Sequence, residues 1–290
     1  MSKILAGVLL VCFVPGVALA IPLPVLSVFS HTSAPAHHPS TTMNVPTGYQ
    51  VIGGGAQVNY GTGAGNILTK SFPVLNGSPL PNGGTPNGWE GDSKDADISD
   101  VSTITVWAVA IKNPNWTVCS NSATSAATSW PVMSVQLPAG CALTGGGASA
   151  NWSGAGSYLT ASYPDTINSW RGAAKDHIHP DPSTMTVYVL GIKPASGPLP
   201  TVLILSSPFG NSPVSHPSNT VSGPLPMAYK IFGGGAVDYW GGAGNMLTAS
   251  FPSISGMSPT LVITAWNGNG KDHEVVSPAT LGAFAIALHP

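Results

Sequence analysis

The sequence has 290 residues with a formal net charge of −2, and only 7% of its residues are charged. Globular proteins usually carry about 25% charged residues. The sequence has no basic stripe, so a nucleic-acid partner would lack the electrostatic attraction that such binding requires. With 43% hydrophobic residues, the composition is not that of a disordered chain. A surface of neutral polar residues suits an exported protein that binds through hydrogen bonds and aromatic faces.

Residues 1–20 have the features of a secretory signal peptide. Lys3 gives a positive start, the segment 4–14 is apolar, and Ala18-Leu19-Ala20 has the small-residue pattern of a cleavage site. The apolar run is shorter than the roughly 20 residues that cross a bilayer. We therefore expect a secreted, extracellular protein whose mature chain spans 21–290, the alternative being a retained N-terminal anchor.

The cysteines predict one disulfide. Cys12 belongs to the leader, whereas Cys119 and Cys141 form an even pair in an oxidising compartment. The bond would close a loop of roughly 20 residues and add about 3 kcal/mol of stability on the chain-entropy model. Two unpaired buried thiols are the alternative.

One motif occurs three times at a spacing of about 90 residues, as expected for a structural unit that is built three times. Each copy has a Gly-Gly-Gly-Ala run, a short Leu-Thr segment that ends in an aromatic residue and Pro, and a Trp followed at a fixed spacing by Lys-Asp. The glycine runs begin at Gly53, Gly145 and Gly233.

Residues of high β-propensity predict short strands along the mature chain. The predicted strands are 25–30, 49–60, 67–72, 103–111, 132–137, 201–205, 229–240 and 281–288. The segment 31–46 is rich in Pro, Ser and His, so it is predicted to be a loop with His37 and His38 in solvent. Each of the three units would then have about four strands, which gives about twelve strands in all and essentially no helix.

No unit of this size can bury its inner face alone, so the three must pack on one core. We expect a single all-β domain over 21–290, with repeats at about 21–112, 113–194 and 195–290 in a pseudo-threefold β-prism. A β-trefoil-like arrangement is the alternative. The glycine runs would meet near the axis, where Cβ atoms would clash. They do not form a phosphate-binding loop, because neither Lys-Ser/Thr nor a helix follows them.

The repeated motif also carries a family resemblance. The run Gly-Asn-x-Leu-Thr-Ala-Ser-Phe/Tyr-Pro, followed by Trp, Lys-Asp-His and a Thr-Val-Tyr/Trp strand, resembles the C-terminal β-prism domain of perforin-like (MACPF) insecticidal proteins of bacteria. The resemblance covers nearly the whole mature chain. It implies recognition of a target-cell surface and not perforation, because the pore-forming domain has no counterpart here. The first unit departs from the pattern at Ala96, where the others have His.

The Trp-x4-Lys-Asp-His segment is the predicted ligand-binding site. An aromatic ring can cover the apolar face of a sugar while a carboxylate accepts hydrogen bonds from its hydroxyls. Such contacts are weak singly, so three copies would act together. The alternative is a structural role, with tryptophans in the core and Lys–Asp salt bridges. The candidate residues are Trp89, Lys94, Asp95, Trp170, Lys175, Asp176, His177, Trp266, Lys271, Asp272 and His273.

Catalytic and metal sites have weaker support, and the sequence predicts no cofactor. It has no nucleophile elbow, and consecutive Lys-Asp-His residues on a strand alternate between faces. Carboxylates for glycoside hydrolysis would come from Glu90, Asp92, Asp95 and Asp97. The same aspartates, with Asp100, could bind Ca²⁺ weakly.

The leading prediction is a secreted module that binds glycans or glycoproteins on cell surfaces, as a lectin or as the recognition part of a toxin. Direct binding to membrane surfaces is the first alternative, although few basic residues are available to attract anionic lipid. An extracellular polysaccharide hydrolase is the second. N-glycosylation sequons begin at Asn115 and Asn151, and a poorer one begins at Asn76.

Overall fold

The computed structural model describes residues 21–61, 65–207, 212–256 and 261–290. The predicted signal peptide, with Cys12, lies outside the described residues. The described chain forms 19 strands and no helix, which confirms the all-β prediction. Within these residues there is accordingly no helix with the length and apolarity that a membrane crossing requires.

The same strand order recurs in each of the three predicted repeats, here called units 1, 2 and 3. Unit 1 (21–112) contains β1 (Leu26–Thr32), β2 (Ser40–Asn44), β3 (Gln50–Asn59), β4 (Ile67–Leu75), β5 (Ser78–Pro79), β6 (Gly88–Lys94) and β7 (Thr103–Ile111). Unit 2 (113–194) contains β8 (Trp116–Thr124), β9 (Val132–Gln136), β10 (Ala142–Asn151), β11 (Tyr158–Thr166), β12 (Ser169–Lys175) and β13 (Thr184–Pro194). Unit 3 (195–290) contains β14 (Thr201–Ser206), β15 (Ser218–Ser222), β16 (Lys230–Tyr239), β17 (Asn245–Ser255), β18 (Val262–Asp272) and β19 (Thr280–His289).

Within each unit the strands form two antiparallel groups of three. In unit 1 these groups are β1-β7-β3 and β2-β6-β4. Unit 2 has β8-β13-β10 and β9-β12-β11, and unit 3 has β14-β19-β16 and β15-β18-β17. In the β1–β7 pair, for example, the register places Leu26 opposite Ile111 and Thr32 opposite Thr105.

Pairing between units joins one group of each unit to a group of the next. Strand β4 of unit 1 pairs with β10 of unit 2, β11 pairs with β16 of unit 3, and β17 pairs with β3 of unit 1. Within unit 3, a single pair, Ile231 with Ile263, also connects β16 of one group to β18 of the other. The result is two antiparallel sheets, one of 12 strands and one of 7. Each unit therefore completes its sheets with strands from both of the others.

The prediction of about four strands per unit is wrong, because the described units have six main strands each. Strand β2 lies inside 31–46, which was expected to be a loop, and β6, β12 and β18 carry the Trp and Lys of the repeated motif. Strand β6 (GWEGDSK) has one aromatic and no β-branched residue, and β2 (STTMN) is short and lies in a segment rich in Pro, Ser and His. Their pairing with neighbouring strands, which propensity does not measure, determines their conformation.

The glycine runs meet as predicted. A Cβ at Gly145 would lie 2.9 Å from the Cα of Gly53, and one at Gly53 would lie 3.9 Å from the carbonyl oxygen of Phe232. A Cβ at Gly233 would collide with the carbonyl oxygen of Thr144. Backbones of all three units therefore approach each other at the first glycine of each run. A side chain at Gly145 or Gly233 would separate them, whereas a Cβ at Gly53 would make only ordinary contacts.

One hydrophobic core is shared by all three units. It includes the fully buried Ile52, Leu143 and Phe232, which immediately precede or lie beside the glycine runs. Cys119 and Cys141 form the predicted disulfide, with a sequence separation of 22 residues. The bond links β8 to the start of β10, the two strands that flank β13 in unit 2.

Candidate functional site

The tryptophans of the repeated motif lie in the core, which contradicts their predicted role in ligand binding. Trp89, Trp170 and Trp266 have exposed fractions of 0%, 1% and 0%. Each indole N–H donates a 3.0 Å hydrogen bond to a serine hydroxyl of the paired strand: Ser71, Ser162 and Ser250. Each ring lies against the second glycine of a run, where any Cβ would collide with it. No face of these rings is available to a sugar.

The lysines of the motif are also buried, at 2%, 1% and 3% exposure for Lys94, Lys175 and Lys271. Lys94 extends from unit 1 to a loop of unit 2, where Nζ donates to the carbonyl oxygens of Gly154 at 2.8 Å and Ala155 at 3.0 Å and also to that of Gly156. The sequence motif therefore places a cation at the boundary between units and not at a solvent-exposed tip.

Each lysine also lies over an aromatic ring of the next unit. The Nζ to ring-centroid distances are 3.8 Å from Lys94 to Trp152, 4.2 Å from Lys175 to Trp240, and 4.3 Å from Lys271 to Tyr60. Carbonyl oxygens and ring faces together compensate the loss of hydration of a buried ammonium group. Lys175 adds a 2.6 Å hydrogen bond to the carbonyl oxygen of Gly242.

Burial shifts the pKa of these lysines downward. Desolvation lowers the pKa of Lys94 to about 8, and the nearby Asp181, Asp176 and Asp95 oppose that shift. Desolvation likewise lowers the pKa of Lys175 to about 8. Both groups therefore still carry the ammonium charge at neutral pH, and the three carbonyl oxygens around Lys94 match its three N–H donors.

The aspartates of the motif close their own loops. The Oδ2 atoms of Asp95, Asp176 and Asp272 accept backbone N–H bonds of 3.0, 2.9 and 2.9 Å from Asp100, Asp181 and Ser277 respectively. Asp95 differs in being shared with unit 1 histidines, since Nδ1 of His37 lies 2.9 Å from Oδ2 and Nε2 of His38 lies 3.2 Å from Oδ1. His37 and His38 lie outside the strands and their side chains are 56% and 55% exposed, as expected, although both also contact this carboxylate.

The histidines of units 2 and 3 face each other at the centre of this end of the molecule. Nε2 of His177 lies 3.3 Å from Nδ1 of His273, and their equivalent in unit 1 is Ala96. Nδ1 of His177 lies 3.2 Å from the carbonyl oxygen of Ala243, which can only accept, so this nitrogen carries the hydrogen. Nε2 of His177 then carries no hydrogen, and its lone pair is the acceptor in the contact with Nδ1 of His273.

Glu274 lies over both imidazoles. Its carboxylate oxygens lie 3.4 Å from Nδ1 of His273 and 3.9 Å from Nε2 of His177, and the backbone N–H of Ile98 in unit 1 donates to it at 3.0 Å. The Glu274 backbone has a left-handed φ of 60°. We call His177, His273 and Glu274 the imidazole cluster. The sequence does not indicate this cluster, because its two histidines are 96 residues apart and belong to different copies of the motif.

Burial is the main influence on the pKa of the imidazole cluster. Desolvation lowers the pKa of His177 and of His273, while Glu274 opposes both shifts. Nε2 of His273 makes no hydrogen bond within the described residues, although the Gly65 carbonyl is near enough to raise its pKa in part. Both rings are thereby biased toward the neutral form.

Accessible aromatic groups occur beside the motif, at the boundaries between units. Trp130 is 64% exposed, and its ring centroid lies 6.1 Å from that of Trp240, which also covers Lys175. At the equivalent boundary of units 1 and 2, His38 packs edge-to-face on Trp152 at 5.8 Å. We call these the second and the first boundary sites.

The first boundary site contains a groove of about 180 Å³. It has carboxylate, imidazole, ammonium and backbone groups along its walls. The lining residues are His38, Lys94, Asp95, Ala96, Asp97, Gly154 and Ala155. Asp97 is half-exposed and lies 2.8 Å from Nε2 of His179. Of the predicted ligand-binding residues, only Lys94 and Asp95 line this groove.

The acidic residues proposed for hydrolysis or Ca²⁺ binding have different partners. Asp92 forms a 2.6 Å salt bridge with Lys70, whereas Asp95 contacts the two histidines and Asp97 contacts His179. Of these three, Asp95 and Asp97 line the groove of the first boundary site. Of the sequon residues, Asn115 is exposed, and the Asn151 side-chain amide donates to Thr184 and Thr186 at 2.9 Å each.

Two further features lie away from the boundary sites. Asp238 is only 3% exposed, and both its carboxylate oxygens lack a hydrogen-bond partner within the described residues. Desolvation raises its pKa to about 7, against a smaller opposing effect of Lys175. Asp238 lies near the end of β16. At the start of that strand, an apolar cavity of about 360 Å³ lies between residues 23–26 and unit 3.

Comparison with known proteins gives no relative: neither a protein-family model nor a curated protein matches this chain.

Proposed function

We propose that this chain is an exported recognition module that binds neutral glycans at the boundaries between its units. The observation that carries the proposal is the indole pair of the second boundary site, in which Trp130 is 64% exposed and Trp240 is partly buried. The apolar face of an indole suits the C–H face of a sugar ring, and its N–H can donate a hydrogen bond to a hydroxyl.

The proposed arrangement of the chain is a pseudo-threefold β-prism. Two observations support it: the pairing of units runs from 1 to 2, from 2 to 3 and from 3 back to 1, and the first glycines of the three runs approach each other. The resemblance to the β-prism domain of perforin-like insecticidal proteins fits the same arrangement. Export fits the leader predicted at 1–20 and the disulfide between Cys119 and Cys141.

The first boundary site supports the proposal through its polar groups. Its groove is lined by the half-exposed Asp97 and by His38, whose ring packs edge-to-face on Trp152. A carboxylate accepts from sugar hydroxyls, and an imidazole can donate or accept. Two boundary sites on one body would bind a multivalent surface more tightly than either site alone.

A glycan array tests the proposal with the mature chain and single variants of the indole pair. We expect Trp130→Ala and Trp240→Ala each to weaken binding about tenfold, since each removes one aromatic contact. Met227→Ala is the matched control, because Met227 is 93% exposed and lies outside both sites. Replacing the buried Trp170 would disrupt the core and is not informative about binding.

Two outcomes would contradict the proposal. One is the absence of any glycan signal above background for the folded protein. The other is binding that both tryptophan variants retain in full. Sedimentation with liposomes that soluble sugar does not inhibit would instead support direct binding to membrane surfaces.

A further inference from the structure

We propose that the imidazole cluster is a binding site for one divalent transition-metal ion, with Zn²⁺ as the best fit. The ligands would be Nε2 of His177, Nδ1 of His273 and the carboxylate of Glu274. This inference is independent of glycan binding, since none of these residues belongs to a boundary site.

The distances between the three groups fit a tetrahedral ion. Zn²⁺ binds His nitrogen at about 2.0–2.1 Å, which places neighbouring ligand atoms roughly 3.3–3.4 Å apart. The separation of the two nitrogens is 3.3 Å, and that of His273 Nδ1 from the nearer Glu274 oxygen is 3.4 Å. The three ligand atoms all lie within 4.8 Å of one another. Both separations from Nδ1 of His273 already match this geometry, whereas the Glu274 carboxylate, 3.9 Å from Nε2 of His177, would have to move closer to that nitrogen to bind the ion.

The chemistry of the donor set selects the class of metal. Two imidazoles and one carboxylate are preferred by Zn²⁺ and its borderline neighbours, whereas Ca²⁺ and Mg²⁺ prefer oxygen ligands alone. Three protein ligands leave a fourth position open. The side chains of His177, His273 and Glu274 are 2%, 0% and 11% exposed, so an ion would enter beside Glu274.

Neighbouring groups already hold two of the ligands in a binding orientation. The Ala243 carbonyl fixes the hydrogen of His177 on Nδ1, so that Nε2 has a lone pair for a metal. The backbone N–H of Ile98 orients the Glu274 carboxylate. Such outer contacts commonly support metal ligands. Since His177 belongs to unit 2, Glu274 to unit 3 and Ile98 to unit 1, an ion here would connect the units.

Equilibrium dialysis of the chelator-treated mature protein against micromolar Zn²⁺, with metal analysis, tests the site. We expect one ion per chain, with an affinity that falls at least about tenfold in His177→Ala, His273→Ala and Glu274→Gln. Co²⁺ should give the intense visible absorption of a four-coordinate site in the wild type only. Alanine is the residue that unit 1 carries at the equivalent position, Ala96, so the histidine variants are expected to fold.

His179→Ala is the matched control, since His179 lies near the cluster but contacts Asp97. It should bind Zn²⁺ like the wild type. Urea unfolding without metal verifies the fold of each variant, and Glu274→Gln gives a second measurement if a histidine variant is unfolded. A wild type that takes up no ion, or a Glu274→Gln variant and a folded histidine variant that both bind as tightly as the wild type, would overturn the proposal.

Discussion

At the scale of the residue, the lysines of the motif connect each unit to the next. Lys94 was predicted to contact ligand as part of the repeated Trp-x4-Lys-Asp-His segment, yet its ammonium group lies among three carbonyl oxygens and the Trp152 ring. Sequence spacing predicted the repetition of the segment correctly. It could not predict burial, because the partners of Lys94 belong to the next unit and lie about 60 residues further along the chain.

Replacement of Lys94 by Met should therefore destabilise the protein. Methionine keeps the apolar stem, but the buried carbonyl oxygens of Gly154 and Ala155 lose their donor. We expect a loss of about 2–4 kcal/mol in the free energy of unfolding, measured by urea denaturation. Lys193→Met is the control, because Lys193 is exposed. Equal stability of the two variants would show that the buried hydrogen bonds contribute nothing net.

Asp238 is expected to destabilise the protein at alkaline pH. Its pKa is about 7 in the folded chain, against a usual 3.8. The folded state therefore keeps a proton that the unfolded state releases between pH 4 and 7. Stability contributed by this group is fully present below pH 4 and is lost as the pH rises through 7. The equivalent positions in units 1 and 2 are Val58 and Ala150, which do not ionise.

Asp238→Asn should consequently stabilise the protein at pH 8. The pKa shift sets a ceiling of about 4 kcal/mol on the gain, and the gain should shrink towards zero as the pH falls to 4. Urea titrations at several pH values measure this difference, with the exposed Asp165→Asn as the control. A stabilisation that does not vary with pH would indicate that ionisation of Asp238 is not its cause.

At the scale of the element, local composition predicted strands where it was rich in β-branched residues. The prediction for 103–111 coincides with β7, and that for 201–205 differs from β14 by one residue. The strands β6 and β12 were missed because their glycines and charged residues favour loops. They form because β4 and β11 hold them in register, and such cross-strand information is absent from a single segment.

At the second glycine of each run, a tryptophan ring packs so closely on the strand that no side chain fits there. Gly146 lies beneath Trp170, and an added Cβ would be 2.5 Å from Cγ of that ring. Gly146→Ala should thus displace the indole or bend β10 and cost about 3 kcal/mol or more. Thermal and urea denaturation measure the loss. Gly241→Ala is the matched control, since nothing lies within 4 Å of its Cβ position; comparable losses would contradict the packing explanation.

At the scale of the whole molecule, the exchange of strand pairings makes the three units interdependent. Strands β3 and β4 of unit 1 pair with β17 and β10, which belong to two different units. A unit on its own would leave both edges unpaired and its face of the shared core in water. The repeated motif predicted that three units pack on one another. Which strands pair between units depends on long-range contacts that the motif does not contain.

An isolated unit 2 (113–194) should accordingly fail to fold, even with its disulfide formed. It would lose the partners of β10 and β11, and about 80 residues with two open edges bury too little apolar surface. Circular dichroism and the cooperativity of urea unfolding measure this. The matched control is the full chain cut at an engineered protease site in the exposed segment 195–199, which should stay folded because no strand is interrupted. Cooperative unfolding of the isolated unit would mean that each repeat is a domain, and that the pairings between units are incidental to its stability.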